Sequence, residues 1–425
     1  MYKYYIATGS NVGKIVANID KSIRLIKNIK DINILKIAPY YFTPPLLPKN
    51  ADESYYHVFC NTCIEINTTI EPIKLLSFLQ DIEIKMGRKK QHDFWSPRII
   101  DLDIICCFLD DKQVNIEDKI LSIPHKEMFN RSFVLDPLSY LNSNLVVDGK
   151  SILNERTKLK NKQSVIMGIV NITNNSFSGD GTLDKKTIER KIKELVSNSI
   201  PIIDIGCEAT NPKAQEIDEN EEINRLQTVI DVINKIKKKT FSTKFSIDTY
   251  HPKVAEFAVK NGFDIINDVN GFKNDEMWQI MQKYSNIEAV IMHSITPHAN
   301  NYTMKTNDII ADISKWVYDV EKQVEKHNIE KQRIILDYGI GFGKTAFQSL
   351  EILKNIDKID CKNFRVLVGH SKKSFMSLFT DTKAKNRTFE TIGSSIILQQ
   401  KNVDIIRVHD AIELKKTFLG LQNVL

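Results

Sequence analysis

The sequence predicts an α+β ferredoxin-like domain over residues 1–141, a linker over residues 142–163 and an α/β TIM-type (β/α)8 barrel over residues 164–425. Three observations predict this. The first part orders its apolar patterns as strand, helix, strand, strand, helix, strand, the ferredoxin-like order. Residues 142–163 turn polar, with Asp148-Gly149 and a Lys-rich run at 158–162. From residue 165 on, eight short apolar runs alternate with helix-length segments. A single run of that kind could be part of a buried helix, but eight in series with helical spacers argue a closed parallel barrel.

In the first domain, residues 4–8 read as a strand, Gly9-Ser10-Asn11 as a turn, and Ile15, Ile19, Ile23 and Ile26 as the apolar stripe of a helix. Residues 32–41 and 57–66 are the next two strands. The prolines between Thr43 and Pro48 exclude regular structure there, because they remove donors and fix φ. Pro72 opens a helix that runs to Met86 and stops at Gly87. Residues 99–108 have the β-branched, apolar character of a central strand. In the barrel the apolar runs are 165–170, 200–203, 245–247, 265–266, 289–292, 334–336, 366–368 and 405–408. Residues 185–198, 219–238, 252–261, 308–327 and 387–401 are expected helices between them.

Composition narrows the class. Hydrophobic content of 42% and charged content of 26% are those of a soluble globular chain. The net charge of +6 is modest and forms no stripe; Lys235-Ile-Lys-Lys-Lys239 reads as an exposed helix end, so no nucleic-acid partner is expected. No apolar run is long enough to span a bilayer, and the first residues read directly as a strand with no signal or transit pattern; a cytoplasmic protein without membrane contact is expected. Cys60 and Cys63 lie three apart on a strand and so face opposite ways, which argues against a metal or redox pair. The six scattered cysteines suggest no disulfide framework, in keeping with a reducing cytosol.

The chemistry concentrates at strand ends. Asp101 and Asp103 sit two apart, so on a strand both carboxylates share a face. Such a pair is either solvated at a strand end or held together by a cation, and hard carboxylate oxygens favour Mg²⁺ against substrate phosphates. Arg88 and Arg98, with His125 and Arg131 further on, favour the second reading, since a triphosphate needs that set. In the barrel, Asp204, Asp248, Asn267, Asp337, Lys373, Arg407 and His409 follow apolar runs and converge on one mouth. One such Asp could merely cap a helix; the set is hard to explain that way. Gly339 to Lys344 mimics a phosphate loop, but three residues separate Gly339 from Gly343 where that motif needs four, so it reads as a turn after the sixth strand.

The run Trp95-Ser-Pro-Arg98 followed by Asp101-Leu-Asp103 resembles the signature of 6-hydroxymethyl-7,8-dihydropterin pyrophosphokinases, and the rest of residues 1–135 agrees in order. The resemblance implies transfer of pyrophosphate from ATP to a pterin alcohol. It implies a pterin pocket of Thr43, Pro44, Phe59, Asn61 and Phe133, and an ATP side of Glu83, Arg88, Trp95, Arg98, His125 and Arg131. Asp101 and Asp103 would hold two Mg²⁺, and Arg88 and Arg98 would act with them in catalysis. The family commonly has Tyr where this chain has Phe59, so a hydroxyl contact there is lost.

From residue 164 the chain resembles dihydropteroate synthases. The resemblance rests on Met167-Gly-Ile-Val-Asn171, Ile203-Asp204, Ser246-Ile-Asp248-Thr, Ile266-Asn267-Asp268, Leu336-Asp337, Val368-Gly-His-Ser371-Lys-Lys373 and Arg407-Val-His409. It implies that Asp248, Asn267 and Asp337 bind the pterin beside Lys373, with Asp248 and Lys373 catalytic. Asn171, Arg407 and His409 would hold one Mg²⁺ and the pyrophosphate, and Phe342 and Ser371 would line the 4-aminobenzoate side. Asp204 and Thr210 complete the substrate-binding set, and a homodimer through the barrel is possible. Two loops depart from the family. Where Thr-Pro-Asp-Ser-Phe-Ser-Asp-Gly is usual, this chain has Thr173-Asn174-Asn175-Ser-Phe-Ser178-Gly179-Asp180; where Glu-Ser-Thr-Arg-Pro-Gly is usual, it has Glu208-Ala209-Thr210-Asn211-Pro-Lys213. Lys372 stands where Arg is usual. Three readings follow: two active enzymes in one chain, an active kinase fused to a weakly active or scaffolding pterin-binding barrel, or a pterin-dependent methyl-transfer barrel, which would not need the Lys373 and Arg407–His409 cluster.

Overall fold

A computed structural model describes residues 1–48, 50–88, 96–159, 162–173, 181–208, 217–294 and 303–424. They form two compact units. The first holds Met1–Gln163, Thr240–Ser242 and the chain from Phe418 on; the second holds Ser164–Lys239 and Thr243–Thr417.

In the first unit, β1 (Tyr2–Ser10), α1 (Ile15–Lys27), β2 (Ile32–Ile37), β3 (Tyr41–Thr43), β4 (Phe59–Thr68), α2 (Pro72–Lys85) and β5 (Asp101–Leu109) follow in order. The sheet runs β2-β4-β1-β5, antiparallel throughout, with β3 on β4 and a short β6 (Lys112–Gln113) on β5. Tyr4, Ile6, Ile64 and Ile66 face Ile19, Ile23 and Ile26 of α1 and Leu75, Leu79 and Ile82 of α2 in one buried cluster. This is the expected ferredoxin-like core: strand residues of period two meet helix residues of period 3.6. Gly87, at φ 104°, ends α2. The strand expected over 32–41 is broken in two. A register shift falls between Ile34 and Lys36, and Pro39 has no N–H to give the ladder.

Beyond β5, β7 (Ile116–Glu117) pairs with β8 (Ser122–Ile123), and α3 (Ser132–Leu141) buries Val134, Leu135 and Leu138. The stretch expected as a linker is folded. It holds the hairpin of β9 (Val146–Val147) and β10 (Lys150–Ser151), turning at Asp148 and Gly149 with φ of 50° and 71°. Then comes α4 (Ile152–Lys158), whose Arg156 is buried, donates from Nε to Asp136 Oδ1 at 2.6 Å and from Nη2 to the Gln163 carbonyl at 3.0 Å.

The second unit is a closed barrel of eight parallel strands: β11 (Val165–Asn171), β12 (Ile202–Gly206), β13 (Lys244–Asp248), β14 (Ile265–Asp268), β15 (Glu288–Met292), β16 (Ile334–Asp337), β17 (Arg365–Val368) and β18 (Ile405–Val408). The expected runs all become strands. Around it run α5 (Lys185–Ser197), α6 (Glu219–Lys237), α7 (Pro252–Lys260), α8 (Asp275–Lys283), α9 (Ile309–Lys326), α10 (Ala346–Lys354), α11 (Thr388–Gln400) and α12 (Ala411–Val424). The register pairs Asn171 with Gly206, Gly206 with Asp248, and Asp248 with Asn267, which brings these polar residues together at the C-terminal ends of their strands. A Cβ on Gly206 would stand 3.5 Å from Asn171 Oδ1 and 3.7 Å from Asp248 Cβ, so the absent side chain leaves room in that ring.

Candidate active sites

The first site grows from the central strand of the first unit. Gly9 of β1 lies opposite both Asn61 of β4 and Asp101 of β5, and Ala7 lies opposite Cys63 and Asp103. Residues across a ladder point the same way, so Asn61, Asp101 and Asp103 share one face over a floor of two small residues. A Cβ on Gly9 would come 2.8 Å from Asn61 Oδ1, so only glycine leaves that amide in place. Above the floor opens a cavity of about 110 Å³. Thr43, Pro44, Phe59, Asn61 and Phe133, the five residues expected around a pterin, all line it, and so do Arg98, Asp101, Asp103 and Arg131. Asn61 donates to Thr43 Oγ1 at 3.0 Å, and the Arg131 guanidinium lies 5.8 Å from the Phe133 ring centre.

Its charges are unevenly paired. Asp101 accepts from Arg88 Nη1 at 2.6 Å and from Arg98 Nη1 at 2.8 Å. Glu83 accepts from Arg88 and from the Leu102 amide at 2.8 Å, and burial pushes its carboxyl up to about 7. Among the described residues the Asp103 carboxylate accepts no hydrogen bond; burial, then the charges of Asp101 and Glu83, push it up to about 7. Arg131 and Arg88 lower it, but less than burial raises it, and two hard carboxylates on one face fit Mg²⁺. Glu83, Arg88 and His125 do not line this cavity: Glu83 and Arg88 reach it through Asp101, while His125, lowered by burial, stands at a second, open cavity with Lys126 and Phe129. Trp95 lies outside the described residues. Sequence reasoning missed Asn11. Its Oδ1 accepts from the Arg98 backbone N–H at 2.6 Å and its own backbone N–H donates to the Arg98 carbonyl at 3.1 Å, tying Arg98 to the end of β1. An Asn just past a glycine turn was the available signal.

The second site is the barrel mouth. Arg407, on the last strand, donates from Nε to Asp204 Oδ2 and from Nη2 to Asp248 Oδ2, both at 2.6 Å. Asn267 donates to the same Asp204 oxygen at 3.1 Å. Burial pushes Asp248 up to about 7 against the pull of Arg407, and raises Asp337, whose Oδ1 accepts from the Gly339 amide at 2.8 Å. Lys373 stands 4.7 Å from the Phe342 ring centre and donates to the Ile340 carbonyl at 2.5 Å; burial pulls it down to about 8, so it keeps its charge at neutral pH. Ser371 Oγ lies 2.9 Å from His409 Nδ1. Lys372, the departure from Arg, pairs with Asp410 at 3.0 Å.

Three further residues shape this mouth without having been expected to: Arg387, and Asp268 and Lys344, which the sequence showed only as part of longer motifs. Arg387 donates to the Lys373 carbonyl at 2.8 Å. Asp268, pushed up to about 6 by burial, accepts from the amides of Asn270 and Phe272 at 2.7 and 2.8 Å. Lys344 is buried, is pulled down to about 7 by that burial, and donates to the carbonyls of His293, Gly339 and Phe342 at 3.0–3.1 Å. The turn read from Gly339 to Lys344 is thus held by its own lysine. Thr210 and the departing residues Asn174, Asn175, Ser178, Gly179, Asp180, Ala209, Asn211 and Lys213 lie outside the described residues.

Comparison with known proteins agrees with this geometry. Residues 167–409 match the pterin binding enzyme family, and residues 5–143 match the 7,8-dihydro-6-hydroxymethylpterin-pyrophosphokinase family. The chain is 30% identical to the folate synthesis bifunctional protein of Chlamydia caviae, over 95% of this chain and 94% of that one. It is 31% identical to the folic acid synthesis protein fol1 of Schizosaccharomyces pombe, over 99% of this chain but 59% of that one, so it spans under two thirds of that relative's length. A crystal structure of dihydropteroate synthase from Anaplasma phagocytophilum with bound 6-hydroxymethylpterin-monophosphate is 31% identical with a TM-score of 0.55, covering 61% of this chain and 98% of that one. A structure of HPPK-DHPS in complex with substrates shares the fold at 19% identity and a TM-score of 0.56, covering 100% of this chain and 99% of that one. The chain belongs to the pterin binding enzyme family through its barrel and to the folate synthesis bifunctional proteins over nearly its whole length.

Proposed function

We propose that this chain makes 7,8-dihydropteroate in two steps, with residues 1–141 as the pyrophosphokinase and residues 164–425 as the synthase. The observation that supports it most is that each unit gathers its own set of acids and arginines among the residues expected at a pterin site. Five pocket residues meet Asp101 and Asp103 in one cavity, and Arg407 gathers Asp204 and Asp248 at the barrel mouth.

In the first step the hydroxymethyl oxygen of 6-hydroxymethyl-7,8-dihydropterin attacks the β-phosphorus of ATP and gives up its proton to solvent, the bond from the β-phosphorus to the α-phosphate oxygen breaks, and AMP leaves. Asn61 and Thr43 orient the pterin edge, while Phe59, Phe133 and Pro44 exclude water. Arg98 and Arg131 offset the charge developing on the transferred group, with Arg88, Glu83, Trp95 and His125 on the ATP side. Asp101 and Asp103 would hold two Mg²⁺, which supply electrostatic stabilisation of the phosphate oxygens.

In the second step the C–O bond to pyrophosphate breaks, and the 4-aminobenzoate amine captures the resulting pterin cation and then loses a proton. Asp248, Asn267 and Asp337 bind the ring system, and the two carboxylates stabilise its charge. Two nitrogens of Arg407 are committed to Asp204 and Asp248, leaving Nη1 for the leaving pyrophosphate beside His409 and Lys373. Asn171 would contribute one oxygen to a Mg²⁺ held chiefly by the pyrophosphate. Phe342 and Ser371 would border the aminobenzoate, and Thr210 would complete the substrate-binding set.

A homodimer through the barrel and a cytoplasmic location complete the reading. Exposed Phe347, Phe389 and Ile397 on α10 and α11 support the first, and sedimentation tests it. Six free cysteines support the second, and fractionation tests it; none of the described helices is long and apolar enough to cross a membrane.

The deciding assay supplies the pterin alcohol, ATP, Mg²⁺ and 4-aminobenzoate. Dihydropteroate with AMP and pyrophosphate is the expected result; AMP without dihydropteroate favours the scaffolding barrel, which the loop changes at Asn175 and Asn211 motivate; neither product overturns the reading.

A further inference from the structure

A second group of ligand-type side chains lies at the barrel, outside the set assigned above. Glu208 follows β12, Glu222 lies on α6, and His251 caps the start of α7 after β13. One carboxylate oxygen from each glutamate and one ring nitrogen of His251 all lie within 4.8 Å of one another. His251 Nδ1 is 2.7 Å from Glu222 Oε2, and the Tyr250 hydroxyl donates to Glu208 Oε1 at 3.3 Å. The Glu222 side chain is only 1% exposed; beside His251 it also neighbours the Thr249 hydroxyl, and its second oxygen, Oε1, is buried and makes no hydrogen bond of normal geometry among the described residues. A buried carboxylate oxygen without a well-placed donor is costly, and a bound cation would satisfy it.

We propose that Glu208, Glu222 and His251 form a binding site for a divalent transition-metal ion of the zinc class. Two carboxylates with one imidazole are a mixed oxygen and nitrogen set. That set suits Zn²⁺ or Co²⁺, whereas Mg²⁺ takes oxygen ligands almost alone. Three protein ligands leave a fourth position open, filled by water or an incoming group. The three residues come from three consecutive stretches around the second and third strands, so the ion cross-links the end of β12, α6 and the start of α7. Of these anchors, Glu208 follows the end of β12 and His251 is three residues from Asp248. The ion therefore fixes the end of β12 and the segment that carries Asp248, a positioning role distinct from the Mg²⁺ expected with pyrophosphate.

The test uses the full chain, stripped with chelator and held in excess Mg²⁺ so that oxygen-ligand sites are filled. Co²⁺ is titrated and its visible d–d absorption followed; Zn²⁺ retained after dialysis is counted by elemental analysis. The parent should take up one equivalent of either ion with a tetrahedral-type Co²⁺ spectrum, and its Tm should rise on binding. His251→Ala and Glu208→Gln should each weaken uptake by at least about tenfold, with far-UV circular dichroism unchanged, while Asp101→Ala should bind as the parent does. Glu222→Gln should behave like His251→Ala if it folds; should it fail to fold, the two more exposed positions decide alone. Absence of a tightly held equivalent in the parent, or an equal stoichiometry and spectrum in His251→Ala and Glu208→Gln, overturns the proposal.

Discussion

Replacing Asp248 by Asn should remove a pH-dependent loss of barrel stability while removing its proposed chemistry. Asp248 is 12% exposed, and burial pushes it up to about 7, whereas an unfolded aspartate titrates near ~3.9. The folded pKa is the higher one, so between the two values the folded state binds the extra proton and stability falls as pH rises. From pH 5 to pH 8, about two units of that gap are traversed, at about 1.4 kcal/mol each, so this single acid withdraws about 3 kcal/mol of unfolding free energy. Asn is uncharged at both pH values and keeps the shape, and Arg407 retains Asp204 at 2.6 Å. The variant should therefore lack that loss. Asp337 and Lys344, also shifted by burial, cancel when the parent profile is subtracted from the variant profile, whereas Asp268 and Lys373 interact with the Asp248 charge and remain in the difference. The assay is urea unfolding at pH 5 and pH 8, followed by fluorescence of Trp278 and Trp316 in the barrel. Parallel losses in parent and variant would refute the reasoning and mean that Arg407 keeps Asp248 ionised throughout.

Other outcomes follow from the same geometry. Asp101→Ala and Asp103→Ala should each abolish AMP formation, by loss of several kcal/mol of metal stabilisation, and leave the second reaction intact when pterin pyrophosphate is supplied; near-normal AMP release would sink the metal assignment. Lys373→Ala should lower the synthase kcat/KM by about 10- to 150-fold, one charge-assisted contact of roughly 1.5–3 kcal/mol, with AMP formation unchanged. Asn211→Arg should improve the aminobenzoate kcat/KM and Lys213→Ala should reduce it, measured at saturating pterin pyrophosphate; changes under about twofold in both would mean the second loop does not act on that substrate. Arg156→Met leaves Asp136 buried without its cation and should cost the first unit about 3–5 kcal/mol in denaturant unfolding, with Asp136→Asn restoring part of it.

Much of the fold was legible because it is written in local periodicity. Ile15, Ile19, Ile23 and Ile26 mark α1 by spacing alone, and the eight apolar runs become the eight barrel strands because a buried parallel strand needs a continuous apolar segment. The residue types at the strand ends were legible too, since a barrel mouth is the place where polar groups can follow such runs. Nine-residue helices were read unevenly: α7 was expected over 252–261, while α8 and α10 were not expected.

What the sequence left open is which of these groups meet. Arg407 is separated by 203 and 159 residues from the two acids it joins, and only closure of the eighth strand onto the first sets them face to face. The break at Pro39 and the burial of Arg156 against Asp136 likewise depend on partners from other elements. So does the depth of the first cavity, which needs Gly9 of one strand beneath Asn61 of another. Periodicity is a property of neighbours along the chain and selects each element. Ion pairing and cavity shape are properties of neighbours in space, and those are fixed only when register and ring closure bring distant strands to within hydrogen-bond distance.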